Sequence, residues 1–400
     1  MRDGVPGWYG ALTTLLEPLG ARWGQRGDAA ALRARRGFDV PRADAWIHAA
    51  SVGEASGVAP LVAEWRRRRP QERLVASAMT PGGRAALSRA GDVPVTAPPY
   101  DAPATARRAV RASGLRRLVL LETEIWPAWI AAALTEGVRV AVVNARLSDR
   151  SWPRYRRLAG ALAPLLARLT AVAAQTETDA ERWRHLGVPA ERVRVTGNTK
   201  NEALAAVEPP SAAEKAEARR RLELDEGRVW CVWASLRPGE EQWLRQALPL
   251  VPPGTQFLVV PRHPDRWRKA YRPGESRREA RWLLSLGVLP EALRASDFAV
   301  MGGTLERFGG HNPVEPAALG LPVILGPSTE NVREGAHALI DAGAARRVSN
   351  AVELAQAIGA WVCHAEERRE AGLAARRVAA SLAGASVRAL DWLEARGFWA

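Results

Sequence analysis

The chain reads as an α/β protein made of two doubly wound, Rossmann-like domains. Three observations predict this. Short apolar runs alternate with helical patterns twice, through residues 41–205 and again through 226–376. Such alternation marks a parallel sheet with crossover helices. Between the two stretches, residues 206–225 are rich in Ala, Glu, Pro and Arg and contain Pro209-Pro210, as an interdomain connection would. Within the second stretch, Asp297 to Pro327 runs strand, glycine loop, helix start, strand. That order suits a phosphate or nucleotide, because it exposes backbone N–H groups and a positive helix end to whatever sits in the loop.

The composition bounds the function. A chain of 400 residues, 47% hydrophobic, can bury two cores. Its two cysteines, Cys231 and Cys363, lie in apolar surroundings, which excludes a disulfide framework and fits a reducing compartment. No CxxC or His/Cys cluster suggests a metal. The net charge of +14 comes mostly from arginine. It points to nucleic acid, an anionic membrane surface or anionic substrates. The arginines are spread over presumed helix faces, at 66–69, 107–108, 154–157 and 219–221, and no nucleic-acid-binding motif is recognised among them. No run of 18 apolar residues forms a transmembrane helix, and no signal peptide opens the chain.

Residues 1–40 form an N-terminal segment. Trp8, Leu12, Leu15, Leu16 and Leu19 share one helical face, and Pro18 should kink or interrupt that helix. Arg22, Arg26, Arg33, Arg35 and Arg36 follow. Such an element can lie on an anionic leaflet or pack on its own domain. The first domain opens with a strand at 45–50, and further strands are expected at 74–77, 118–121, 138–143, 171–174 and 193–198. The second has strands at 229–234, 257–260, 298–301 and 323–325. Residues 377–400 read as C-terminal helices.

The residues able to carry chemistry fall after these strands. Glu54 follows the first one, in a loop with Gly53 and Gly57. Ser51-Val52-Gly53-Glu54 also fits a capping box. However, a helix begun at Ser51 would meet Pro60 in its interior, at roughly 3 kcal/mol. A start near Ser56 leaves Glu54 in the loop, free to act as a base. Glu122 and Glu124 end an apolar strand, and alternation places them on one face. They are either a pair of functional carboxylates or solvated strand ends. Lys200, just after a strand, is either solvated or a charge near the chemistry. Arg262, in Pro261-Arg262-His263-Pro264, is able to bind phosphate bidentately. Gly302-Gly303 and Gly309-Gly310 let the backbone turn sharply. Asn312 is a good N-cap and Pro313 a good first helical residue. Glu315 is either a carboxylate favoured by the helix dipole or an acceptor for ribose hydroxyls.

GG-(x)5-GGHNPVEPAALGLPV, followed by GPSTENVRE, closely resembles the bacterial Kdo transferases, which move 3-deoxy-D-manno-octulosonic acid. HAASVGE, ETEIWP, VNARLSDRS, TGNTK and PRHPDR extend the resemblance over nearly the whole chain. It implies the GT-B glycosyltransferase architecture, two such domains facing across a cleft. It also implies inverting transfer of Kdo from CMP-Kdo to a lipid A precursor, without metal or cofactor, at the cytoplasmic side of the inner membrane. Glu54 matches the family's catalytic base, with Ser51 and Gly53 beside it on the acceptor side. His48 is expected to be a packed strand residue. Glu124 matches a glutamate that supports the transition state. Lys200 matches a lysine whose charge can offset the Kdo carboxylate and the departing CMP.

The donor would meet Ser235, Pro261, Arg262, His263, the loop Gly309, Gly310 and His311, then Asn312, Pro313, Val314, Glu315 and Asn331. It would also meet the turn Leu286, Gly287 and Val288. Two departures stand out. Leu236 and Arg237 replace a hydroxyl and an imidazole of the family pattern ASTHEGEE. Val288 replaces a glutamate, removing one carboxylate contact with CMP. The alternatives are a GT-B enzyme using a UDP-sugar and, more remotely, a basic nucleic-acid-binding protein.

Overall fold

The computed structural model describes residues 7–23, 28–90, 93–205, 207–268 and 280–400, without the side chains of 18–23, 90, 203 and 205. It divides into two compact units: Met1–Glu202 with Gly384–Ala400, and Ala203–Ala383.

In the first unit seven strands form one parallel sheet: β1 (Ala45–His48), β2 (Leu74–Ser77), β3 (Val95–Thr96), β4 (Arg117–Leu121), β5 (Arg139–Ala145), β6 (Ala171–Ala174) and β7 (Val193–Val195). Their order is β3-β2-β1-β4-β5-β6-β7. Both faces are buried, as a parallel sheet with crossover helices requires. Trp46, Leu118, Leu120, Val140 and Val142 point into one core. Ile47, Val119, Leu121, Ala141 and Val143 point into the other. Each such Leu, Ile or Val side chain stabilises the fold by about 1.5–3 kcal/mol relative to exposure.

The second unit repeats the plan with six strands: β8 (Trp230–Leu236), β9 (Gln256–Pro261), β10 (Ala280–Trp282), β11 (Phe298–Met301), β12 (Val323–Leu325) and β13 (Ala345–Arg347). Their order is β10-β9-β8-β11-β12-β13. In each sheet the strand order reverses beside the first strand, between β1 and β4 and between β8 and β11. Doubly wound sheets bind ligands outside the carboxyl ends of the strands at that point.

Three expectations change. The helix Gly7–Trp23 runs through Pro18. It is tied to the body of the unit before that proline, by Tyr9 donating to Asp101 at 2.6 Å and by Thr105 donating to Glu17 at 2.8 Å. These polar residues face the body of the unit. Trp8, Leu12, Leu15 and Leu16 face outward, at 45–74% exposure. Arg26 and the side chains of Leu19 and Arg22 fall outside the described residues.

Residues 206–225 are more than a connection. Helix Ala212–Arg221 packs Ala218 into the second core, and Lys215 and Arg219 grip Asp297 at 2.7 and 2.8 Å. The boundary expected at 377 falls inside helix Ala365–Ser381, whose Ala374, Ala375 and Val378 belong to the second core. The chain turns at Gly384 (φ 78°). The last helix, Ala385–Ala395, then buries Leu390 and Leu393, with Phe398 beyond it, in the first unit. There Arg117 donates to the carbonyls of Phe398 and Trp399 at 3.1 and 3.0 Å.

Candidate functional site

At the carboxyl end of β1 the chain makes one short helical turn, Val52–Ala55, breaks at Ser56-Gly57, and starts a second helix, Val58–Arg68. Pro60 thus falls in a first turn, where it costs little. Glu54 lies in the short turn, not in an open loop. Its carboxylate accepts the Ala50 N–H at 2.6 Å and the Ser51 hydroxyl at 3.2 Å. Ser51 returns no cap hydrogen bond, so the reciprocal capping box is absent. Ser211 and Glu214 provide the contrast: there both halves of the box form, and Glu214 is held below the usual carboxylate range by its bonds to Ser211. Glu54 goes the other way. Burial first, then the charges of Glu122 and Glu124, push its carboxyl up to about 7, against the Ala50 hydrogen bond.

Glu122 and Glu124 do not share a strand face. The strand stops at Leu121, and Glu122 adopts φ 57°, which ends the alternation. Glu122 turns to Lys200 and ion-pairs with it. Lys200 sits in the short 3-10 turn Thr199–Asn201, whose start is capped by Asn198. Glu124 instead accepts the Trp126 indole N–H at 2.6 Å and stands 3.4 Å from His48 Nε2. His48 is fully buried, edge-on to Trp126 and Trp129. Its Nδ1 lies 2.9 Å from the Ser77 hydroxyl, which also accepts from Trp46. An indole can only donate, so Ser77 is free to donate to Nδ1, which leaves the ring proton on Nε2, facing Glu124. His48 is therefore a packed strand residue that orients a carboxylate. Glu54, Glu122 and Lys200 form one cluster with Glu124 beside it.

In the second unit, β8 bends at a bulge. Ser235 takes φ 61°, and Leu236 pairs with Pro261. Gly302 is required where β11 ends, because a Cβ there would lie 2.4 Å from the Ser235 carbonyl oxygen. Gly309 (φ 83°) is required too: a Cβ would lie 2.0 Å from the Asn331 amide. Asn331 holds this loop, its N–H donating to Gly309 at 2.8 Å and its Nδ2 to Phe308 at 3.1 Å.

The loop's backbone is less open than the sequence suggests. Gly309 N–H donates to Ser328 at 2.8 Å, Gly310 N–H to Gly303 at 2.7 Å, and Val314 N–H to the Asn312 side chain at 3.1 Å. The helix begins at Val314, so Pro313 is the N-cap rather than the first helical residue, and Asn312, one residue earlier, accepts the Val314 N–H without being the cap. These N–H groups are not free for a phosphate. The charge available to an anion comes from side chains. Arg262 is exposed, and its guanidinium has no hydrogen bond or ion pair among the described residues. Glu315 is mostly buried, and burial raises its carboxyl while the Arg262 charge opposes the rise. His311 is pushed down to about 4 by burial and by Arg262 and Arg237, so it is neutral at pH 7. His263 is lowered by burial and the same arginines.

The turn Leu286 to Val288 follows β10, two strands from β8. Leu286 is exposed there, while Val288 packs on the core. Among the described residues no three His, Cys, Asp or Glu side chains gather as a metal would require.

The sequence left Glu240 unnoticed. It is fully buried, and its carboxylate accepts the N–H of Leu305 at 3.0 Å and of Arg237 at 2.8 Å, tying the loops after β8 and β11 together. Its neighbour Glu241 is also acidic, and nothing in the pattern separates the two.

Comparisons with known proteins agree with this geometry. The family model for 3-deoxy-D-manno-octulosonic-acid transferase (kdotransferase) matches residues 21–203. The 3-deoxy-D-manno-octulosonic acid transferase of Bordetella pertussis is 33% identical over 389 residues, 88% of this chain and 87% of that protein. The enzyme of the same description from Haemophilus influenzae is 30% identical over 371 residues, 87% and 86% of the two chains. Among solved structures, Anabaena Alr3699/HepE in complex with UDP superposes with a TM-score of 0.66 at 15% identity, covering 88% of this chain and 98% of that one. That likeness establishes the fold, two Rossmann-like units of the GT-B kind.

Proposed function

The chain belongs to the Kdo transferase family, and on that premise we propose that it transfers Kdo from CMP-Kdo to a hydroxyl of a lipid A precursor. The observation that carries the mechanism is the state of Glu54. A general base works best when its pKa lies near the operating pH, and this carboxyl is pushed up to about 7. Glu54 takes the proton of the acceptor hydroxyl as its oxygen attacks the anomeric carbon. The bond from that carbon to the phosphate oxygen breaks, CMP leaves with the electron pair, and the configuration inverts.

The residues around the base have separate tasks. Glu122 keeps Lys200 in place and, through its charge, keeps Glu54 from ionising early. Glu124, oriented by His48 and Trp126, adds negative potential where positive charge develops on the sugar. Arg262 meets the phosphate and Glu315 the ribose hydroxyls. The outward-facing Trp8, Leu12, Leu15 and Leu16 rest on the cytoplasmic leaflet of the inner membrane, where a lipid acceptor is found. Among the described residues no helix is long and apolar enough to cross a membrane.

Product mass spectrometry tests this. Incubation with CMP-Kdo and the tetraacylated lipid A precursor should add Kdo to the lipid. Transfer only from a UDP-sugar, or tight salt-dependent binding to a random oligonucleotide with no transfer, would overturn the proposal.

A further inference from the structure

The loop after β11 presents an unusual situation for an anionic ligand: its N–H groups at Gly309, Gly310 and Val314 are engaged within the loop. Those three N–H groups are not available to an anion, and two arginines stand at the ends of adjacent strands. Arg262 follows β9. Arg237 follows β8, at the point where the strand order reverses. Its backbone N–H is fixed by the buried Glu240. Its guanidinium lies over the Phe308 ring, 4.4 Å from the centroid, and its Nη1 donates to His263 Nε2 at 3.2 Å. Nε is buried and has no hydrogen-bond partner among the described residues.

This is a pre-set guanidinium. Stacking and one hydrogen bond hold its plane, and at least one donor is withdrawn from water without a partner. A buried unpaired donor is costly, and a planar fork of N–H groups fits a carboxylate oxygen pair. The imidazoles beside it are neutral at pH 7, since burial and the two arginines lower both. The local positive charge is therefore that of the arginines. In the other unit, Lys200 is already matched by Glu122.

We propose that Arg237 binds the carboxylate of the donor's sugar acid, while Arg262 binds the nucleotide phosphate. The donor carries two separate anionic groups, and the unit offers two separate guanidiniums. Arg237 thereby discriminates a 2-keto sugar acid from a neutral hexose on the same nucleotide. This rests on the transfer function proposed above.

The test compares two ligands on two proteins by calorimetric titration. The ligands are CMP and an unreactive phosphonate analogue of CMP-Kdo, in which a methylene replaces the oxygen between the anomeric carbon and phosphorus and the carboxylate is kept. Wild type should bind the analogue more tightly than CMP. Arg237→Gln should weaken the analogue by about ten- to a hundredfold, the range for a lost charged hydrogen bond, and leave CMP within about twofold. Arg237→Lys keeps the charge without the fork and should fall between. Equal weakening of both ligands would place Arg237 on the phosphate and overturn the assignment. An unchanged Kd for the analogue would overturn any role for it in donor binding. Thermal midpoints of the variants guard against unfolding, and Arg237→Lys carries the test if Arg237→Gln is unstable. A wild-type preference for UMP over CMP would instead sink the donor's identity, and that result is read without any variant.

Discussion

Replacing Glu54 with Gln separates catalysis from capping in one variant. Gln keeps the size of the side chain and can still accept the Ala50 N–H, which Glu54 now does at 2.6 Å. It cannot take a proton near neutral pH. Turnover should fall by roughly 10²–10⁴-fold. The pH behaviour follows from the raised carboxyl. Wild-type kcat/KM should climb about tenfold per pH unit and level off near 7, where Glu54 becomes the carboxylate. Glu122→Gln removes the largest charge contribution to that rise, so the break should move to lower pH.

Stability changes with the opposite sign. A carboxyl moved from 4.5 to about 7 disfavours ionisation in the folded state. The shift is worth roughly 3 kcal/mol, at about 1.4 kcal/mol per unit. Below pH 4.5 both folded and unfolded chains hold the proton, and the cost is absent. It grows between 4.5 and 7 and is complete above 7. Glu54→Gln should therefore be more stable than wild type at pH 8, by up to that amount, and equal to it near pH 4.5. The assays are transfer on a pH series and urea unfolding at pH 5 and 8, on one preparation. Near-normal turnover of the variant, or a wild-type profile that breaks near 4.5, would refute the assignment of Glu54 as base.

Three further outcomes are expected. CMP should raise the thermal midpoint of the wild type, as any ligand of the folded state does, and Arg262→Ala should largely abolish that rise; equal protection by UMP counts against a cytidine donor. Leu15→Glu with Leu16→Glu should weaken binding to anionic vesicles without changing CMP binding, because both side chains face outward; wild-type binding should itself fall at high salt, and a variant that sediments with vesicles as well as wild type removes the membrane role. Arg117→Ala should destabilise the first unit by about 1.5–3 kcal/mol, measured by urea unfolding, since it removes the ion pair with half-buried Glu72, leaving that carboxylate the Trp65 indole N–H, and frees two carbonyls of the C-terminal segment; a loss below 1 kcal/mol would mean that segment is held by its apolar packing alone.

The sequence by itself determined the class of fold, because central parallel strands are buried on both faces and must be apolar runs. β1, β2, β4, β5 and β6 are all such runs, as are β8, β9, β11 and β12. Of the four edge strands, β7 (Val-Arg-Val) is expected from its two valines, while β3, β10 and β13 have two or three residues each and read Val-Thr, Ala-Arg-Trp and Ala-Arg-Arg. No apolar run announces them, since one side of each has no neighbour to pack on. Glycine, proline and capping chemistry likewise marked the loop at 302–315, because backbone geometry there is a local property.

Only the tertiary structure decided what the charged residues do. Glu54 and Glu214 both occupy the fourth place of an S-x-x-E pattern. One is a raised carboxyl beside Glu122, and the other an exposed cap held low by Ser211. Lys200 finds Glu122, and Arg237 finds Phe308 and His263, across long stretches of chain. The last helix joins the first unit, although nothing in its composition separates it from the helix before it. Apolar patterning is set by local geometry and survives in the sequence. The ionisation of a side chain depends on its burial and on charges a few ångströms away, and those neighbours exist only once the chain has folded.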